Sequence, residues 1–72
     1  MHKGVASKLG ARVRDLRQTK GLSQEEFADR VGIDRTYISG VERGVRNPTV
    51  QVLHRVARAL GVSLSELFKG CD

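Results

Sequence analysis

Two residues, Gly32 and Ile33, stand between two helical patterns, which leaves too little chain for anything but a tight turn. Upstream, Leu22-Ser23-Gln24-Glu25-Glu26-Phe27 carries a capping box, with Ser23 as N-cap and Glu26 three residues on. Leu22 and Phe27 take the two places of a hydrophobic staple. The helix opened there runs from about Gln24 to Val31 and buries Phe27, Ala28 and Val31. Downstream, Asp34 caps a helix whose inner side has only Ile38 and Val41, three residues apart as a helix requires. The small Ala28 suits a close crossing, and Ile33 and Ile38 fill the angle. Two short helices joined through a glycine turn form a helix-turn-helix unit. Its second member, with little core and with Arg35, Thr36 and Tyr37 reaching outward, has the make-up of a helix inserted into a groove.

The flanking chain supplies what this pair lacks. Val5 to Lys20 carries Leu9, Val13 and Leu16 at helical spacing with Ala6 beside them, and Lys8, Arg12, Arg14, Arg17 and Lys20 on the other faces. Gly21 closes that helix. Gly44-Val45-Arg46-Asn47-Pro48 is a loop, and Pro48 stands at or just before a fourth helix capped by Asn47 or Thr49. Leu53, Val56, Ala57 and Leu60 form its stripe and Gly61 its end. Ser63-Leu64-Ser65-Glu66 is a second capping box, opening a short fifth helix that buries Leu67 and Phe68. Met1 to Gly4 reads as a frayed start. With no strand alternation and no repeats, the expectation is an all-α, five-helix single domain over 1–72, with its core in 5–68.

Seventy-two residues is near the lower limit for folding without staples. Such a chain buries only about 60% of its unfolded surface, so association with a second copy would add what the core lacks. Thirteen basic against eight acidic residues, a net charge of +5, fit a polyanionic partner, nucleic acid ahead of an anionic membrane surface. The single Cys71 has no partner for an intramolecular disulfide, which fits a reducing compartment. Residues 1–20 lack the apolar core of a signal peptide, and no apolar run approaches the roughly 20 residues of a membrane span. A cytoplasmic chain with no membrane partner is expected. His2, His54 and Cys71 lack metal-ligand spacing, and no nucleophile set, paired acid or phosphate loop is present. The expectation is therefore no enzyme, no metal and no cofactor.

The ordered set Leu16-Arg17, Gly21-Leu22-Ser23-Gln24-Glu25, Ala28, Gly32-Ile33, Ile38-Ser39, Glu42-Arg43-Gly44, Pro48, Leu53, Ala57, Leu60 and Leu67 resembles the lambda-repressor/Cro-like (XRE) helix-turn-helix family. The resemblance covers roughly 5–68. The run from Asp34 to Arg43 with Arg46-Asn47 is similar to the recognition region of restriction–modification controller proteins. Those are small dimers that regulate their own operon and the endonuclease gene, activating at low dose and repressing at high dose. Gly44-Val45 with Pro48 resembles the wider superfamily as much as the controllers. Prophage repressors, antitoxins and, more distantly, interaction modules without DNA binding share the fold.

The resemblance implies a double-stranded DNA operator, a homodimer on a palindrome, and roles for individual residues. The recognition helix lies in the major groove with its N-terminal residues at base edges. Arg35 at such a position grips guanine, and Thr36 offers a hydroxyl or a methyl. Tyr37 either meets the DNA or packs as a half-buried ring on the second helix, and Ser39 either contacts DNA or is simply exposed. Gly40 either admits close backbone approach or gives up readout at that point. Ser23 and Gln24, at a helix start that favours phosphate, are backbone contacts, and Gln24 also braces the recognition helix. Arg43, Arg46 and Asn47 are positioning contacts. Arg17 and Glu42 are a structural ion pair. Glu25 and Asp29 are either a solvated acidic face or, as in some phage repressors, a contact for the RNA polymerase sigma subunit. Val52, Val62 and Leu64 are the candidate dimer surface, unless Val62 and Leu64 merely finish the core.

Overall fold

In a computed structural model, residues 4–72 are described; the expectation for Met1 to Lys3, His2 among them, falls outside the described residues. Five helices follow one another with short connections: α1 (Val5–Thr19), α2 (Gln24–Val31), α3 (Arg35–Glu42), α4 (Val50–Leu60) and α5 (Leu64–Leu67). The all-α reading holds, with no strand among the described residues. The chain punctuates itself where the side chains demand. Both capping boxes close in both directions: Glu26 N–H donates to Ser23 Oγ at 3.0 Å while Ser23 N–H donates to Glu26 Oε1 at 2.9 Å, and Ser63 and Glu66 repeat the pair. Of the two caps offered for α4, Thr49 serves, its Oγ1 accepting from Val52 N–H at 3.1 Å.

The core is small and shared by all five helices. Val13 of α1, Phe27 of α2, Ile38 and Val41 of α3, Val56 of α4 and Leu67 of α5 are its largest fully buried side chains. α3 packs between α1 and α2, α2 also packs on α4, and α5 closes against both α4 and α1. Phe27 and Leu22 are both buried, as the staple requires.

One core assignment is corrected. Phe68 is 37% exposed, because α5 is a single turn and the chain has left the helix at Phe68 (φ −90°, ψ 4°) before its ring can turn inward. Cys71 takes a core place instead, 4% exposed. Among the described residues no helix is long and apolar enough to cross a membrane, and no group of three His, Cys, Asp or Glu residues is placed to hold a metal.

Two close approaches set the height of α3 above α1. A Cβ on Gly10 would stand 2.6 Å from the Glu42 carbonyl oxygen and closer still to that of Val41, so only glycine lets the two helices meet there. At Gly44, φ is +77° and the backbone of Ser7 lies where a side chain would go. A third fixture comes from α4. Arg55 Nε donates to the Val31 carbonyl oxygen at 3.0 Å and its Nη2 to that of Gly32 at 2.9 Å, so it occupies carbonyls that the end of α2 leaves free.

Candidate nucleic-acid interface

The start of α3 is built by Asp34, whose carboxylate accepts from Thr36 N–H at 2.7 Å. That bond, with the Thr36 hydroxyl and the charge of Arg35 adding to it, holds the Asp34 carboxyl below its usual range despite a small opposing cost of desolvation. A carboxylate here also offsets the cost of placing Arg35 at the positive end of the helix. Arg35 and Thr36 project from the first turn, both exposed, while Tyr37 and Ser39 are half-buried.

Behind them a polar relay runs inward. Arg35 Nη1 donates to Gln24 Oε1 at 3.4 Å, Gln24 Nε2 donates to Glu42 Oε1 at 3.0 Å, and the same oxygen accepts from Arg17 Nη2 at 3.0 Å. Arg17 Nε donates to Glu42 Oε2 at 2.6 Å, and Arg17 Nη1 to the Leu22 carbonyl oxygen at 2.7 Å. One residue of α1, one of α2 and two of α3 are thereby joined. No buried side-chain nitrogen or oxygen among the described residues is left without a partner. The buried inner part, Arg17 with Glu42, is rigid, since displacing either would orphan the other, while the outer Arg35–Gln24 bond is exposed to solvent. Ser23, Gln24, Glu25 and Arg35 line an open groove at the joint between α2 and α3.

Arg43, Arg46 and Asn47 follow α3, all exposed, on a loop turned back by Gly44 N–H donating to the Val41 carbonyl oxygen and Val45 N–H to that of Gly40, each at 3.0 Å. Arg46 does not extend freely into solvent; its guanidinium carbon lies 5.4 Å from the centre of the Tyr37 ring. Arg35 thus meets Gln24, and Arg46 meets Tyr37 on α3, while Glu25, in the groove beside Arg35, and Asp29 are exposed on α2. Val52, Val62 and Leu64 are partly buried and pack against the core while keeping some surface. The large apolar side chains most exposed, Val5, Val45, Val50 and Phe68, were not among the candidates for a dimer surface.

The bridging of α2 to α3 by Gln24, and the seat of Arg46 on α3, were not read from sequence in this detail. Gly40 gave the only signal for the second, a glycine within a helical pattern, which often marks a close approach. Gly10 is the same signal in α1, and Arg55 left none.

A helix pair at a glycine turn, with an exposed arginine and threonine on the first turn of a second helix braced from behind, defines a DNA-binding helix-turn-helix protein. The HTH_3 family (helix-turn-helix) matches residues 13–67, and the chain belongs to that family, which is one of transcription regulators and not of enzymes. Control protein C.MunI of a Mycoplasma species is 44% identical over 69 residues, covering 94% of this chain and 93% of that one. The restriction-modification controller protein C.AhdI of Aeromonas hydrophila superposes with a TM-score of 0.84 at 47% identity, over 86% of this chain and 94% of that one. The C.Esp1396I controller, whose tetramer has been solved in complex with its natural 35 base-pair operator, superposes with a TM-score of 0.85 at 36% identity, over 97% of this chain and 92% of that one.

Proposed function

We propose that this chain is a sequence-specific, DNA-binding transcription regulator of the restriction–modification controller type, whose 72 residues form one binding domain. The carrying observation is the relay Arg35–Gln24–Glu42–Arg17, which fixes the first turn of α3 relative to α1 and α2. Preorganised side chains lose less freedom when they engage a partner. Similarity to C.MunI, C.AhdI and the operator-bound C.Esp1396I supports the controller reading.

In this reading Arg35, Thr36, Tyr37 and Ser39 face base edges. Ser23, Gln24, Arg43, Arg46 and Asn47 hold the phosphate backbone and set the register. Arg17 and Glu42 brace the helix without touching DNA. A single recognition helix covers only a few base pairs, so two copies bind a palindrome through Val52, Val62 and Leu64, with half-sites about 34 Å apart. The regulator activates its own operon at low dose and represses it at high dose. Glu25 and Asp29 are a solvated acidic face in the simplest reading. Their exposure, and the lack of an ion pair to either among the described residues, leave them free for the finer reading, a contact with the polymerase sigma subunit.

Binding-site selection from randomised duplexes tests the proposal. The expected product is a palindrome whose half-site centres are one helical turn apart, with binding that weakens steeply between roughly 50 and 200 mM salt while discrimination survives. Recovery of no consensus would overturn it.

A further inference from the structure

Gly40 lies in the last turn of α3 between Ser39 and Val41 and is buried although it has no side chain to turn inward. What buries it is another part of the same protein. A Cβ there would stand 2.6 Å from Arg46 Cγ, with Nε at 3.4 Å and Cδ at 3.6 Å, so the stem of Arg46 lies in the space a side chain would fill. The loop geometry brings it there. The paired bonds from Gly44 and Val45 N–H to the carbonyls of Val41 and Gly40 fold the chain back over the last turn of α3. In such a turn an apolar contact commonly covers the residue at the position of Gly40. Here Val45 is left 64% exposed and Arg46 takes that place. Tyr37, three residues before Gly40, is its neighbour on the same helical face, and the Arg46 guanidinium lies over the Tyr37 ring.

We propose that Gly40 is a positioning residue: its missing side chain forms a notch that seats Arg46 across the recognition helix against Tyr37. The arginine is then held at two points, its stem in the notch and its head on the ring. The loop supplies from outside the cationic side chain that position 40 lacks, and supplies it already ordered. Part of the freedom that a solvent-exposed arginine would lose on reaching DNA is lost in the free protein instead. The role toward DNA rests on the regulator reading above, whereas the seat is a property of the unbound chain. It also means that Gly40 is not bare backbone awaiting a nucleic acid, because Arg46 covers it.

The test uses the full chain and Gly40→Ala. Alanine is the better helix former, while the atom it meets at 2.6 Å, Arg46 Cγ, can leave only by a change at the first side-chain torsion of Arg46. The two effects oppose, and the variant is expected to fold and to melt close to the parent. In the parent, the ring protons of Tyr37, the chain's one tyrosine, show nuclear Overhauser contacts to the Arg46 side chain; in Gly40→Ala these vanish. Affinity falls about tenfold for selected and random duplexes alike, the order of one misplaced phosphate contact. In an Arg46→Ala background Gly40→Ala causes no further loss. Should Gly40→Ala not fold, Arg46→Lys serves: charge and salt dependence stay, while the planar stacking on the ring is lost and the ring contacts and affinity weaken together. Absence of the ring contacts in the parent, or equal losses from Gly40→Ala with and without Arg46, overturns the proposal. A parent with the ring contacts that selects no DNA sequence overturns the regulator reading and upholds the seat.

Discussion

Arg17 of α1 grips Glu42 of α3 through both edges of its guanidinium, Nε to Oε2 at 2.6 Å and Nη2 to Oε1 at 3.0 Å, with the two side chains only 10% and 3% exposed. The remaining nitrogen, Nη1, is taken by the Leu22 carbonyl, and the shared oxygen by Gln24. By charge alone Arg17 belongs with the cations that face DNA; its surroundings make it a brace. Removing one member leaves the other buried with its charge uncompensated, which costs roughly 3–5 kcal/mol. For a domain of this size the melting temperature of Arg17→Ala should therefore drop by about 12 °C or more, read by circular dichroism. An unchanged melt with weakened DNA binding would place Arg17 at the DNA instead.

Gly10 makes the complementary case in the backbone. Alanine would improve the propensity of α1 by roughly 0.5–1 kcal/mol. Its Cβ would nonetheless meet the carbonyl oxygens of Val41 and Glu42, which are backbone and have no rotamer to change. Overpacking of that kind costs about 1–3 kcal/mol. Gly10→Ala should lower the melting temperature, and a rise would mean that α1 and α3 separate freely.

How much of this could be read before the structure depends on whether the signal is local. Helix starts were legible because Ser23, Asp34, Thr49 and Ser63 bond to groups two or three residues away. The stripe of α4 was legible because periodicity alone decides which face turns inward. Phe68 misled because its apolar character says nothing about α5 stopping one residue earlier. Arg12, which donates to the Glu66 carbonyl 54 positions away, and Arg55, which donates to Val31 and Gly32, carry no sequence mark at all. Long-range bonds from arginine to backbone carbonyls accept almost any partner residue, so no spacing encodes them.

Acid should loosen the start of the recognition helix. The Thr36 N–H and hydroxyl lower the Asp34 carboxyl relative to its unfolded value. The stability it contributes is present above the unfolded carboxylate range and lost as pH falls through the folded one. Glu26 shifts the same way, chiefly through the Ser23 N–H. Melting temperature should be level from neutral to mildly acid pH and decline below the ordinary carboxylate range. In Asp34→Asn, which caps without titrating, that decline should be shallower. Superimposable acid limbs for parent and variant would remove Asp34 from the account.

Arg35 and Arg43 separate reading from positioning. Arg35→Ala should cost about 1–3 kcal/mol on the selected duplex and relax discrimination at one base pair. Arg43→Ala should weaken selected and random duplexes alike and reduce the salt slope by about 1. Fluorescence anisotropy across a salt series distinguishes the two, and identical profiles would dissolve the division.

Glu25→Lys tests the outer face of α2. Its side chain is exposed, and Ser23 and Glu26, not Glu25, form the cap. Operator binding in a gel shift should persist. Loss of activated transcription with binding intact would assign the face to polymerase; parallel loss of both would leave it as part of the DNA surface.

Arg55 carries a consequence of a different kind. By holding the carbonyls of Val31 and Gly32, it makes α4 the third wall of the helix-turn-helix corner. The angle at which α3 is presented is therefore not a private matter of two helices and a glycine. It is referenced to α4, the helix that also carries Val52, so the corner and the candidate seam between subunits share one rigid strut. A mechanical load applied at that seam has a hydrogen-bonded route to the corner that does not pass through the apolar core.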